Sequence, residues 1–457
     1  MHMHLYKTRG IRLVAALATV GLATVGLVGC SSSSTPASSA TSGTINWWGW
    51  TPELAIANAY IKSFNKVYPN IKVNFKQLTI NNYVAAMRPA LASSSGPDVF
   101  DIQPGSDLTD FGGDAIDLTP VVKSALGNDW QSKVSPIGIK DLTTTSGKLA
   151  ALSVGSTYGG PLWINEALYK KYNLTPPTTL AEWVKDCATF KANGVGCFVQ
   201  GAAQEGFDQD TLQAIADSVQ PGLWTKASTG AAKWSSPGIV KTFAIWKKLF
   251  TDNIMQEGAV GAQQYPDANN AFLSGKYATV NMGSWYVQYA SIAGMKNGIS
   301  AAGVGNPVLF PLVPIPFPDV AGTGHSGALF GDSDFGLAIN AKSKVKAAAT
   351  TFVKWLTTSV AGQQQVANQL ADIPALDGIA PDWSTIALPF PAEQKAAIQK
   401  LVKQAGSVTE ARESLLTSPV QTAIGVAATT VAAGQATPAQ AAATLQAAAV
   451  ASGEKFK

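Results

Sequence analysis

Charge is scarce in this chain: Asp, Glu, Lys and Arg make up 14% of its 457 residues. A nucleic-acid binder clusters Lys and Arg, so this surface argues against a nucleic-acid partner. Histidine and cysteine occur three times each. His2 and His4 lie in the N-terminal segment, and His325 sits in a glycine-rich loop, so a Ser-His-Asp triad has only that one histidine to use. No histidine accompanies the cysteines, which leaves no metal site and no cofactor to expect. A GxxxxGK[ST] phosphate loop is missing, which excludes the usual nucleotide-hydrolysing subunit.

The N-terminal segment is the most specific motif present. Lys7, Arg9 and Arg12 precede an apolar run over 13–28, too short and wrongly flanked for a good membrane span. The run ends Leu27-Val28-Gly29-Cys30, which resembles the lipobox of bacterial lipoproteins. The expected product is cleaved after residue 29, with lipid on Cys30. Losing those three cations lowers the formal charge from +4 to +1. Residues 30–43, rich in Ser and Thr, read as a flexible tether with a reach on the order of 20 Å.

Beyond the tether, residues 44–50 read as a buried strand and Thr51-Pro52-Glu53 as a helix start, with Leu54, Ala57, Ile61, Phe64 and Tyr68 in helical spacing up to Pro69. Ile71, Val73 and Phe75 alternate as a strand. A helix follows from Asn82 to about Ser93, broken or kinked at Pro89, and leads to the apolar stretch at Val99-Phe100. This βαβαβ order implies a parallel-centred α/β lobe. Residues 149–154 and 161–164 are apolar runs separated by a glycine-rich break, as in a chain crossing between lobes. Asn165 is placed to cap a short helix ending near Tyr172, and Asn173 suits a left-handed exit. Thr179 and Glu182 have capping-box spacing ahead of a helix carrying Trp183, Cys187 and Phe190. Gly194 to Gln200 reads as a strand, Gln204 to Phe207 as a loop, and Thr211 to Val219 as a helix. The proline-rich run 310–316 is extended, Lys344 to Thr358 is an amphipathic helix, and Trp163 and Trp183 belong to the core.

These stretches together resemble the extracellular solute-binding proteins of bacterial ABC importers, the maltose-binding-like group. The match is carried by Trp48-Gly49-Trp50, Pro69-Asn70-Ile71, Pro97-Asp98-Val99, Asp117-Leu118-Thr119-Pro120, the 147–185 crossing, and the Gly-x-Trp loop at Gly283-Ser284-Trp285. The resemblance implies a two-lobe periplasmic-binding-protein-like α/β fold, each lobe a parallel-centred sheet flanked by helices, joined by about three crossings. The second and third crossings fall at 331–340 and at Ile373-Pro374-Ala375. One lobe is expected from 44–154 plus 336–371 and the other from 155–335 plus 372–457. An extracytoplasmic address permits a disulfide between Cys187 and Cys197, buried thiols being the alternative.

Ligands of α/β lobes bind outside the carboxyl ends of the strands. Aligned on the family's motifs, the expected ligand contacts are Trp48, Trp50, Asp101, Gln103, Tyr158, Gln204, Glu205, Phe207, Trp285 and Asp334. Aromatic rings pack on the C–H faces of a pyranose, while carboxylates and amides meet its hydroxyls. The family often has an aromatic residue in a loop of its last segment, and none stands around Thr417-Ser418-Pro419. The resemblance implies a lipid-anchored, monomeric, non-enzymatic binder. It would take a sugar, an oligosaccharide by preference, at the outer face of the bacterial cytoplasmic membrane or in the periplasm, and pass it to ABC permease subunits. A lipid-anchored glycan hydrolase or a sugar sensor for a membrane receptor are the alternatives.

Overall fold

The structure is a computed structural model that describes residues 39–456. The expected signal segment, Cys30 and most of the tether lie outside the described residues. The tether does not run to residue 43. Ser39 and Ser42 exchange backbone hydrogen bonds, and Thr351 Oγ1 donates to the Ala40 carbonyl at 2.7 Å. The chain is therefore docked before β1 (Gly43–Gly49) begins.

From β1 the chain runs through a helix, Leu54–Asn65, to β2 (Ile71–Gln77) and through a second helix, Ile80–Ala92, to β3 (Val99–Ile102). The first helix stops short of the expected Pro69, and it starts at Leu54, with Pro52 outside it. The second continues across Pro89, because a proline so near the C-terminal end forfeits little of the helical ladder. After short helices the chain enters β4 (Leu152–Ser153), β5 (Gly155–Gly159) and β6 (Pro161–Asn165). The expected glycine-rich break is thus a strand. Glycine is needed at residue 155 for close approach, since a Cβ there would stand 2.5 Å from the Ile373 carbonyl oxygen. Next come β7 (Gly196–Val199), β8 (Tyr277–Asn281) and β9 (Leu312–Pro316), then β10 (Phe330–Ser333), β11 (Gly336–Ile339) and β12 (Ile373–Pro374).

The strands form three sheets. The first has the order β2-β1-β3-β11-β4, with β1 parallel to both neighbours. The second is β7-β8-β6-β9. Its parallel centre is reduced to the β7/β8 pair, because β6 comes straight from the crossing strand and runs antiparallel to β8 and β9. The third sheet, β10-β5-β12, sets the three crossings side by side and joins the lobes. One hydrophobic cluster draws on Ile45, Trp47, Phe64, Phe100, Val154, Leu337 and Phe352. Two others take Trp183, Phe198, Trp246 and Ile424, and Trp163, Phe272, Tyr286 and Leu401. Trp163 and Trp183 are fully buried.

Local signals account for much of the second lobe. Thr179 and Glu182 form the reciprocal capping box of the helix Leu180–Ala192, and Asn173 has a positive φ of 54°. Cys187 on that helix is bonded to Cys197 on β7, with Cα atoms 4.9 Å apart. The expected loop at Gln204 to Phe207 is a correction: helix Glu205–Val219 begins there, with Glu205 and Asp208 in its first turn, where acids favour the helix dipole.

Candidate ligand site between the lobes

The expected residues were placed at strand ends or, for Tyr158 and Asp334, at the crossings, and the structure sorts them into two groups. One group converges. Trp285 is the second residue of the 3-10 segment Ser284–Ala290 after β8. Its Nε1 donates to Tyr265 Oη at 3.1 Å, and the Phe207 ring meets it edge-on at 6.1 Å. The Arg412 guanidinium stands over the Trp285 ring at 4.9 Å. Across the cleft, Gln103, just past β3, donates from Nε2 to Glu413 Oε2 at 2.7 Å. Trp50, also at a first-lobe strand end, follows β1 and makes its ring contacts within that lobe, edge-on against Tyr83 and Phe335 at 4.8 and 6.3 Å.

Arg412 and Glu413 were not expected from the sequence. They belong to a loop, 410–416, pinned to the second lobe. The buried Asp332 carboxylate accepts the backbone N–H groups of Arg412, Glu413 and Ser414 and the Ser414 hydroxyl. Gln209 and Gln213 donate to the Arg412 and Ala411 carbonyls at 2.6 and 3.0 Å. Arg412 in turn forks onto Asp210, Nε to Oδ1 at 2.7 Å and a terminal nitrogen to Oδ2 at 2.9 Å. One signal pointed here: after residue 29 the sequence has only two arginines, Arg88 and Arg412. Lysine supplies the other cations, so an arginine marks a place where a planar fork is needed.

The second group is placed by other contacts, although Gln204 touches the Tyr265 backbone and the Asp334 charge acts on Arg412 and Glu413. Asp101 is fully buried, with Oδ1 accepting from Trp47 Nε1 at 2.8 Å, and burial pushes its carboxyl well up. Trp48 lies on the other face of β1 from Trp47, half-buried, with the Lys76 ammonium 3.7 Å from its ring centroid. Gln204 is turned into the second lobe, where Oε1 accepts the Gln264 and Tyr265 N–H groups at 3.1 and 3.4 Å. Glu205 is exposed, its stem against Gly425 of helix Ser418–Ala432, and partial burial raises its carboxyl. Tyr158 is buried on β5, its N–H donating to Ser284 Oγ at 2.9 Å. Asp334 accepts from Thr157 Oγ1 at 2.8 Å, within the crossings.

The lobes also meet where Tyr289 donates from Oη to Glu53 Oε1 at 3.0 Å. Carboxylates crowd the joint. Asp372 is buried beside Asp334 and is pushed well above the carboxylate range, by burial and then by that neighbour. Among the described residues no group of three or more His, Cys, Asp or Glu side chains is arranged to hold a metal ion. A polar cavity of about 280 Å³ lined by Ser95, Asp98 and Lys342 lies at the opposite pole, ahead of β3, away from the strand carboxyl ends.

Two α/β lobes joined by three adjacent crossings, with polar and aromatic side chains gathered between them, define a hinged solute-binding protein. The family described as bacterial extracellular solute-binding protein matches residues 48–363, and the chain belongs to that family. A multiple sugar-binding protein of Streptococcus mutans is 24% identical over 369 residues, 79% of this chain and 81% of that one. An uncharacterized ABC transporter extracellular-binding protein of Pyrococcus horikoshii is 22% identical over 290 residues, 62% of this chain and just 64% of that protein. A Streptomyces glaucescens receptor, solved unliganded and with acarbose, superposes with a TM-score of 0.69 at 20% identity, over 91% of this chain and all of that one.

Proposed function

We propose that the protein captures a sugar, an oligosaccharide by preference, between its lobes and hands it to the membrane permease of an ABC importer. The observation that carries this reading is the array of Trp285, Phe207, Tyr265, Arg412 and Glu413 facing Gln103 across the cleft. It offers aromatic surface for C–H faces and charged or amide groups for hydroxyls, the pairing a pyranose needs. The relatives named above as binding multiple sugars and acarbose support the same class. Trp50, Asp334 and Tyr158 complete the proposed site from the strand end and the crossings. Trp48, Asp101, Gln204 and Glu205 act in it only by holding their neighbours.

Closure follows from linkage. A solute touching both lobes favours the state in which they meet, and only that difference in affinity shifts the equilibrium. The lobes are assigned to 44–154 plus 336–371 and to 155–335 plus 372–457. The protein works as a monomer without cofactor, held outside the cytoplasmic membrane by lipid on Cys30, which raises its effective concentration near the permease.

Calorimetry of the mature protein against mono- and oligosaccharides tests the reading. Saturable binding with the saccharide recovered intact supports it. Release of shortened products would instead make the protein a hydrolase, and absence of binding across the panel would refute a sugar ligand.

A further inference from the structure

Two buried carboxylates reach the cleft from opposite lobes. Asp107 lies in the helix Ser106–Phe111, directly after β3, and Glu413 in the 410–416 loop of the other lobe. The turn between them is in contact: a Cβ on Gly105 would stand 3.0 Å from the Glu413 carbonyl oxygen. Gln103, on the same turn, donates to Glu413 Oε2 at 2.7 Å. This is where the lobes meet, so separating them would return both carboxylates to water.

The charges around the pair do not balance. Asp107 is faced by Glu413, by Asp110 of its own helix and by Arg88 of helix Ile80–Ala92, and Arg88 is engaged with Asp110 at 2.6 Å. Glu413 is faced by Arg412, Asp210, Asp332 and Asp334. Arg412 reaches Glu413 Oε1 at 3.2 Å but is already forked onto Asp210. Burial, then Glu413, pushes Asp107 up to about 7. Burial likewise raises Glu413 to about 7, Arg412 opposing and the three aspartates adding to it. Asp141, also at about 7, faces Asp332 on β10 and Ser414 of the 410–416 loop.

We infer that bringing the lobes together takes up a proton at the Asp107–Glu413 pair, so that solute capture and proton uptake are linked. In an open cleft, rehydrated and freed of each other, both groups titrate closer to the ordinary carboxylate range. The closed form therefore holds more protons between that range and about 7, and closure is favoured as pH falls through this window and lost as pH rises through about 7. With one proton taken up, the closing equilibrium changes about tenfold between pH 6 and pH 8. The inference does not depend on which solute is bound.

The test uses the ligand-free mature protein. Small-angle scattering is expected to give a smaller radius of gyration at pH 6 than at pH 8. The Asp107→Asn/Glu413→Gln variant, checked as folded by circular dichroism, is expected to be compact at both. Titration of maltotriose at pH 6.5 in buffers of different ionisation enthalpy is expected to show proton uptake in the wild type and less in Asp107→Asn, which leaves the proposed solute contacts intact. A wild-type radius unchanged between the two pH values overturns the inference. A pH-dependent radius without saccharide binding leaves it standing and removes only the sugar reading; saccharide binding with no proton uptake and no change in radius does the reverse.

Discussion

Replacing Arg412 by Met removes the cation on which the cleft side of the second lobe is organised. The Arg412 side chain is 10% exposed and that of Asp210 3%. Two guanidinium nitrogens hold the Asp210 carboxylate at 2.7 and 2.9 Å. Without them Asp210 is a buried charge lacking its counterion, and breaking a pair in this way costs about 3–5 kcal/mol. Loss of the guanidinium from the Trp285 ring adds on the order of 1 kcal/mol. Burial already raises the Asp210 carboxyl and Arg412 opposes that rise, so the variant's Asp210 titrates higher still. A raised folded pKa means that the folded form holds the proton. The deficit is therefore largest at alkaline pH and shrinks as pH falls. Urea denaturation followed by tryptophan fluorescence at pH 5 and pH 8 measures both effects. The Asp210→Asn/Arg412→Met pair is expected to recover part of the loss, since no orphan charge remains. A deficit below about 1 kcal/mol, or one equal at the two pH values, would refute the assignment of Arg412 as a required counterion.

Other expectations are simpler. Trp285→Ala is expected to weaken the best saccharide at least tenfold, about 1.4 kcal/mol by calorimetry, because it removes both an aromatic face and the platform under Arg412. Cys187→Ser should lower stability by about 3 kcal/mol, the chain-entropy value for a loop of this size, read as a shift in denaturation midpoint that a reductant reproduces in the wild type. Asp217, buried on the helix Glu205–Val219, is raised to about 8 by burial and by Glu410. Its folded form keeps a proton that the unfolded chain releases, so stability declines as pH rises from the ordinary carboxylate range to about 8. Asp217→Asn should flatten that slope and raise stability on the order of 1–3 kcal/mol at pH 8, by urea titration.

Much of the fold was legible because it rests on short-range rules. The capping box at Thr179 and Glu182, the left-handed Asn173 and the amphipathic helix holding Ala349, Phe352 and Leu356 each depend on residues a few positions apart. The helical turn at Glu205 to Phe207 was missed for the opposite reason. Gly206 argues locally for a loop, and the burial of Phe207 and Asp208 that makes the helix worthwhile comes from distant elements. Likewise, the glycines at 155 to 160 read as a break until Ile373 is found packed against them.

The site divides along the same line. Local pattern and the family resemblance together proposed Trp50, Gln103, Phe207 and Trp285 at strand ends, since a strand's end is set by its own residues. They were not enough to say which side chains face the cleft. Trp47 and Trp48 alternate on β1, yet only the packed sheet sends Trp47 to Asp101 and Trp48 to Lys76. Arg412 and Glu413 are separated by 202 residues from Asp210 and by 310 from Gln103. No local spacing encodes such pairs. The order of elements, the family and the candidate strand ends were written in the chain itself, because helices, strands and turns answer to their neighbours in sequence. The partners of those ends, and the charges that meet between the lobes, were decided only when the three crossings brought remote segments into contact.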